Sequence, residues 1–204
     1  VTDLGTAIDS TPVLSDSQGV GTVQNDDADP AISVDDISIA EADSGSPSGT
    51  FTVSLSNPSD TAITVDYETA DGTATTGGSD YTQITSTTLT YAAGETSKSV
   101  VVTVAGDTVF ENGGVDEAFT LDLSNALGGR VDAFSGSGVT IAAAQGTATI
   151  TDTDAEPTVS IGDVTANENG GVFDLTVTLS NAADQDTTVS YSTADGTATT
   201  ADSD

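Results

Sequence analysis

Apolar and polar residues alternate along most of this chain. Phe51, Val53 and Leu55 fall on one parity, as do Ile63, Val65 and Tyr67. A period of two is the mark of a strand with one buried face. The same pattern returns at Leu89 and Tyr91, at Val100, Val102 and Val104, at Phe119, Leu121 and Leu123, and at Ala148 and Ile150, with Gly, Asn, Asp or Ser clusters between the runs. Thr and Val dominate them, and β-branched side chains suit a pleated surface. No segment carries a helical stripe. About seven strands in roughly 125 residues predict an all-β, two-sheet antiparallel sandwich. Tyr67, Tyr91 and Tyr191 lie on the inward parity and are expected in the core.

The pattern also repeats on a longer scale. FTVSLSN at 51–57 returns as LTVTLSN at 175–181, and YETADGTATT from Tyr67 returns as YSTADGTATT from Tyr191, both 124 residues on. The junction VQNDDADPAISV at 23–34 returns as ITDTDAEPTVSI at 150–161, 127 residues on. Self-similarity at a fixed period means an array of like units. Three pieces follow: residues 1–29 as the tail of a preceding unit, with DLGTA from Asp3 echoing DLSNA from Asp122; residues 30–156 as a complete unit; and residues 157–204 as the start of the next. The whole is expected to be an excerpt from a longer tandem array.

Charge narrows the function. The 204 residues include 33 acidic and two basic ones, Lys98 and Arg130, with no histidine and a formal charge of -31. Such a field repels nucleic-acid phosphate and anionic membranes and attracts cations. The periodic apolar content separates the chain from a disordered acidic tail. With no cysteine, disulfides and thiolate metal sites are excluded. Without histidine or a plausible lysine base, the abundant Ser and Thr have no triad to join, so no enzyme activity is expected. No apolar stretch approaches the roughly 20 residues that span a bilayer, and no membrane insertion is expected of this segment.

Many acids cluster where strands end, and the clusters recur with the repeat. Glu41, Asp71, Asp107, Glu111, Asp116, Glu117, Asp152 and Asp154 stand out in the complete unit. Alternation of strand direction places the ends of the first, third, fifth and last strands at one pole. Two carboxylates about 5 Å apart repel by roughly 3 kcal/mol at an effective dielectric near 20, so several together would splay the loops. A hard divalent cation removes that repulsion. Calcium takes six to eight oxygen ligands in flexible geometry, and the side chains offer no nitrogen or sulfur alternative, so calcium is the expected ion. Plainer readings stand beside this one. Asp71-Gly72 is also a tight-turn dipeptide. Asn25, Asp26 and Asp27, like Asp152 to Asp154, also read as polar linkers, stiffened by Pro30 and Pro157. Asp66, Glu68, Asp116 and Asp122 read as solvated surface. Salt adaptation explains the total charge, though not the return of acids at the same strand ends.

These segments resemble the Calx-beta repeat family. The resemblance covers the whole chain and rests on SIAE ending at Glu41, YETADGTATTGGSDY at 67–81, YAAGETSKSVVVTVAGD at 91–107, FENGGVDEAFTLDLSN at 110–125 and ITDTD at 150–154. It implies tandem immunoglobulin-like Greek-key sandwiches, with calcium at the tip that meets the next domain. Carried over by position, the ligands are Glu41, Asp71, Asp107, Glu111, Glu117, Asp152 and Asp154, with Asp27, Glu168 and Asp195 at matching places in the adjoining repeats and Asp26 expected beside Asp27. The chain departs from the exchanger-like pattern at Ala105 and Gly106, at Asn112, Gly113 and Gly114, and at Thr153. Fewer ions or weaker binding are therefore expected.

The expected function is a calcium-binding structural or adhesive module of a secreted or cell-surface protein. Its sandwiches would form a rod or filament stiffened by calcium, with neighbouring repeats, self-assembly or an adhesion partner as its contacts. A regulatory calcium sensor and an accessory region of a large secreted enzyme are the alternatives.

Overall fold

The computed structural model describes residues 16, 18–23, 26–129, 138–167, 172 and 174–198. Most of the preceding unit's tail, including Asp3, and the predicted ligand Glu168 lie outside the described residues.

The complete unit forms ten strands: β1 (Ala31–Val34), β2 (Ile37–Ala40), β3 (Ser48–Leu55), β4 (Ile63–Ala70), β5 (Thr87–Tyr91), β6 (Ser97–Thr103), β7 (Val109–Phe110), β8 (Glu117–Gly128), β9 (Thr140–Ala143) and β10 (Gln145–Thr151). One sheet runs in the order β6-β3-β1-β9 and the other β2-β10-β8-β4-β5. The chain passes between sheets from β3 to β4 and again from β5 to β6, as a Greek-key sandwich requires. Each predicted run became a strand. Two of the added strands come from strands that split and change sheets, and the third is the short β7. β1 and β2 are separated by Asp35 and Asp36, whose carboxylates accept the N–H groups of Thr52 at 2.6 Å and Thr147 at 2.7 Å. These bonds satisfy the ladder positions that the crossing strand leaves open. β9 and β10 divide at Ala144, where Gly146 passes so close to the Asp35 carbonyl that a Cβ would collide with it.

Splitting also adds parallel pairings to an otherwise antiparallel sandwich: β1 with β9 and β2 with β10. Alternation along single strands carries no information about this, because inward parity is the same in either direction.

Among the described residues the core lies within residues 32–150. Phe51, Val53, Ile63, Val65, Phe119, Leu121 and Ala148 are fully buried, all on the parities read from the sequence. Each large apolar side chain so buried contributes roughly 1.5–3 kcal/mol before chain entropy is set against it. Tyr91 is buried with its hydroxyl donating to the Val53 carbonyl at 2.7 Å, which satisfies its polar end. Tyr81 stacks on Phe119 at 3.9 Å.

The next unit contributes β11 (Val159–Ile161) and β12 (Val177–Leu179), an antiparallel pair, and β13 (Ala182–Ala183). β13 pairs in parallel with β7 of the complete unit. Tyr191 is 88% exposed, against the expectation of a core position. Its counterpart Tyr67 packs against the core in a strand bonded to β8, and the sequence of residues 157–204 contains no counterpart of β8.

Candidate metal centre

One pole of the sandwich gathers carboxylates from five separate places. Glu41 follows β2, Asp107 follows β6, Glu111 follows β7, Glu117 opens β8 and Asp152 follows β10. With Asp80, from the loop between β4 and β5, they line a cavity of about 60 Å³ floored by Val104 and Ile150. That is room for ions and a little water, far below the several hundred Å³ of small-molecule sites.

The backbone explains how these side chains converge. Glu41 N–H donates to Thr151 O at 2.9 Å, and Thr153 Oγ1 returns to Glu41 O at 2.9 Å, so the β2 and β10 ends are tied together. Asp152 then braces its neighbours: Oδ2 accepts Glu111 N–H at 3.1 Å and Oδ1 accepts Asp154 N–H at 2.7 Å. Asp107 accepts Val109 N–H at 2.7 Å, an Asx turn leading from the β6 end into β7. After Glu111 the chain makes a single 3-10 turn over Asn112–Gly114, with Asn112 at φ 46° and Gly113 at φ 65°. Gly is the residue that adopts this left-handed geometry without strain, so the glycines at 113 and 114, a departure from the exchanger-like pattern, serve the turn.

Electrostatically the pole is poised against itself. Glu41, 7% exposed, is pushed up to about 7 by burial first, then by Asp107, Asp152 and Asp154, although an Asp107 backbone hydrogen bond partly opposes this. Burial, then Glu41, Asp107, Asp80 and Glu117 push Glu111 up to about 7 as well. Glu117 is raised by burial and by Asp80 and Asp184, and Asp154 by burial with Asp152, Asp43 and Asp107. Buried like charges favour the neutral form, and a bound cation would reverse that preference. Among the described residues the acids do not form a ready cage of three or more side chains around one point; they line a pocket.

Of the residues predicted from the sequence, Glu41, Asp107, Glu111, Glu117 and Asp152 meet at this pocket, and Asp154 stands within electrostatic reach of Glu41. Asp71 does not line it. Its carboxylate accepts the Tyr81 hydroxyl at 2.7 Å and the Thr76 N–H at 3.0 Å, and these bonds hold its pKa down. The tight-turn reading accounts for its position: Gly72 N–H donates to Ala74 O at 3.1 Å, and Asp195 begins the same turn in the next unit, where Gly196 N–H donates to Ala198 O at 3.1 Å. Asp26 and Asp27 match Thr153 and Asp154 one repeat earlier, and Asp27 lines a different cleft, with Pro30 and Asn57–Asp60. Asp80 was missed. Its signal was the loop GGSDY, where Ser79 at φ 76° swings the chain and Asp80 Oδ2 caps Thr75 N–H at 2.6 Å.

Fold and pole together define a β-sandwich module with an all-oxygen acidic tip. Comparison with known proteins makes this specific: the family model described as the Calx-beta domain matches residues 25–154 and 152–204, and the chain belongs to the Calx-beta family. Sodium/calcium exchanger 1 of Rattus norvegicus is 31% identical over 152 residues, covering 67% of this chain, which spans 15% of that protein's length. Among solved structures, the apo-form Calx CBD1 domain is similar at 25% identity and a TM-score of 0.47, covering 61% of this chain and 99% of that one. CBD12 from CALX1.2 is similar at 25% identity and 0.49, covering 61% and 46%. Among the described residues no helix is long and apolar enough to cross a membrane.

Proposed function

We propose that this chain is a non-enzymatic calcium-binding repeat that stiffens a secreted or cell-surface rod. The observation that carries the reading is the convergence of Glu41, Asp80, Asp107, Glu111, Glu117 and Asp152 on one pocket. Its side-chain donors are all oxygens, burial and like charges disfavour the charged forms of Glu41, Glu111 and Glu117, and its cavity suits ions, which fits calcium better than a transition metal. When bound, calcium would supply the positive charge that lets these carboxylates ionise together. Asp152 would hold the β10 and β7 ends in place through its two backbone bonds, and Asp107 would fix the turn into β7.

The stiffening follows from where the pocket stands. Glu111 and Glu117 flank the turn after β7, and β7 is the strand that β13 of the next unit joins. An ion drawing the pole together would therefore restrain the edge on which the neighbouring repeat rests. Adhesion or filament formation would use the array as a spacer.

Calorimetric titration of calcium into the full chain, with small-angle scattering in calcium and in chelator, tests both parts. Saturable binding with a longer, narrower distribution of end-to-end distance supports the rod. Binding without a change in dimensions would replace it with a sensor, the reading favoured by similarity to sodium/calcium exchanger 1. No binding at millimolar calcium removes both.

A further inference from the structure

The two units present the same platform at their leading ends. In the complete unit, Asn57 Nδ2 donates to Ala28 O at 2.7 Å, Ser56 Oγ to Asn57 Oδ1 at 2.7 Å, and Ala31 N–H to Ser56 Oγ at 3.0 Å. In the next unit, Asn181 Nδ2 donates to Ala155 O at 2.6 Å, Ser180 Oγ to Asn181 Oδ1 at 2.7 Å, and Thr158 N–H to Ser180 Oγ at 2.9 Å. The second platform is occupied. β7 lies along β13, Asp184 N–H donates to Phe110 O at 3.2 Å, and the Asp184 carboxylate accepts Asn112 N–H at 3.1 Å. Asp184 thus clamps the edge and the turn that follows it.

We propose that the first platform, Asp27–Pro30 with Asn57–Asp60, is a socket for the β7 edge of a Calx-beta repeat placed before it, and that Asp60 is its clamp. The sequence keeps each part the contact needs. Asp60 stands at the place of Asp184, Asn57 at that of Asn181, and Pro30 at that of Pro157. The apparent exception is Pro58 in place of Ala182. The bridge centred on Ala183, in which Asp184 donates to Phe110 O, takes only a carbonyl from residue 182, and proline keeps its carbonyl. The second bridge, Ala182 with Val109, also uses the residue-182 N–H, which proline lacks, so the first socket makes a shorter pairing centred on Ser59. The Ser59 carbonyl is turned the other way, accepting Gly94 N–H at 2.8 Å, as the residue at the centre of such a bridge must be. Asp27, Asp29, Pro30 and Asn57 to Asp60 line a cleft matching the one that Phe110 and Gly113 share with Glu156, Pro157, Ala183 and Asp184. The occupant is accordingly an extended apolar–aromatic dipeptide followed by a turn that offers an N–H to a carboxylate. Acidity at the joint does not prevent this docking, since the second platform is seated even though Asp184 and Glu117 repel each other across it.

The test extends the chain by inserting a second copy of residues 30–156 between Asp29 and Pro30, so that the new junction repeats Glu156–Pro157. Amide hydrogen exchange is then read at Asn112 of the inserted copy. Asn112 of the original copy, clamped by Asp184, is the internal reference, and the β3 amides report that each repeat stays folded. Both Asn112 amides are expected to be protected, with Asp60→Ala in the original copy speeding exchange at the inserted Asn112 at least tenfold and leaving the reference unchanged. Asp184→Ala should do the reverse. If the inserted Asn112 exchanges as an unprotected amide while the reference is protected, or if Asp60→Ala leaves it unaltered with β3 intact, the socket is overturned. Lack of protection at both overturns it too. The same exchange measured in chelator keeps the result separate from calcium binding.

Discussion

Two sets of carboxylates in this molecule have opposite electrostatic fates. At the pole, Glu41 and Glu111 are half-buried or deeper among like charges and are pushed up to about 7. At the turn after β4, Asp71 faces solvent with a hydroxyl and a backbone N–H donating to it, and its pKa is held down. Asp66 is similarly lowered by Thr88 and Asn125. The acids differ in donors and solvent, and the comparison teaches that only the first set has something to gain from a cation. Donors that hold an acid's pKa down leave it bracing a loop, whereas burial among other acids, as at Glu41 and Glu111, leaves a need for counter-charge.

The largest effect expected from this comparison is calcium itself. At about a hundred times the dissociation constant, a ligand specific to the folded state adds about 2.7 kcal/mol, or roughly 10 °C in melting temperature for a unit of this size. Scanning calorimetry at pH 7.5 should show that rise, and Asp152→Asn with Glu117→Gln should remove most of it. An undiminished rise in the double variant would place the ion elsewhere.

The next effect is the pH dependence without calcium. Glu41 and Glu111 hold protons more tightly folded, at about 7, than at the ordinary 4.5. The folded state therefore binds more protons between those values, and stability falls as pH rises. The stability they lend is complete below about pH 4.5 and lost as pH passes through about 7, a decline of about 7 kcal/mol for two unscreened groups that solvent screening at this partly exposed pole reduces to about 2 kcal/mol. Urea titrations in chelator at a series of pH values would show it, and saturating calcium should flatten the slope. A chelated protein that is more stable at pH 7.5 than at pH 5 would contradict the charge balance at the pole.

Single substitutions should then separate the two sets by sign. Glu41→Gln is expected to raise chelated stability at pH 7.5 by about 1 kcal/mol, with little effect near pH 4.5, while weakening calcium binding. Tyr81→Phe, which removes a donor from Asp71, is expected to lower stability by about 1 kcal/mol whether or not calcium is present, and to leave calcium affinity within about twofold. Asp71→Asn should behave like Tyr81→Phe. If Asp71→Asn instead weakened calcium binding as strongly as Asp152→Asn, the division between the sets would fail.

The sequence by itself determined the strands, their inward faces and the repeat. Phe51, Ile63 and Phe119 are buried as their parity requires, because side-chain alternation is a local property of extended chain. It also determined that acids stand at strand ends and, with no histidine or cysteine in the chain, that any metal bound there would be held by oxygens. Tertiary structure alone decided which acids meet. Asp71 and Asp80 are nine residues apart in one loop, yet hydrogen bonding turns Asp71 toward Tyr81 while Ser79 swings Asp80 into the pocket. It alone decided the splitting of the first and last strands, set by where Asp35, Asp36 and Gly146 allow the chain to change sheets. It alone seated the next repeat on β7 as well, a two-residue pairing too short to leave a period in the sequence. Local periodicity records which face of a strand is buried; it does not record which strand ends converge, because that depends on long-range register and on the few backbone bonds that bend each loop.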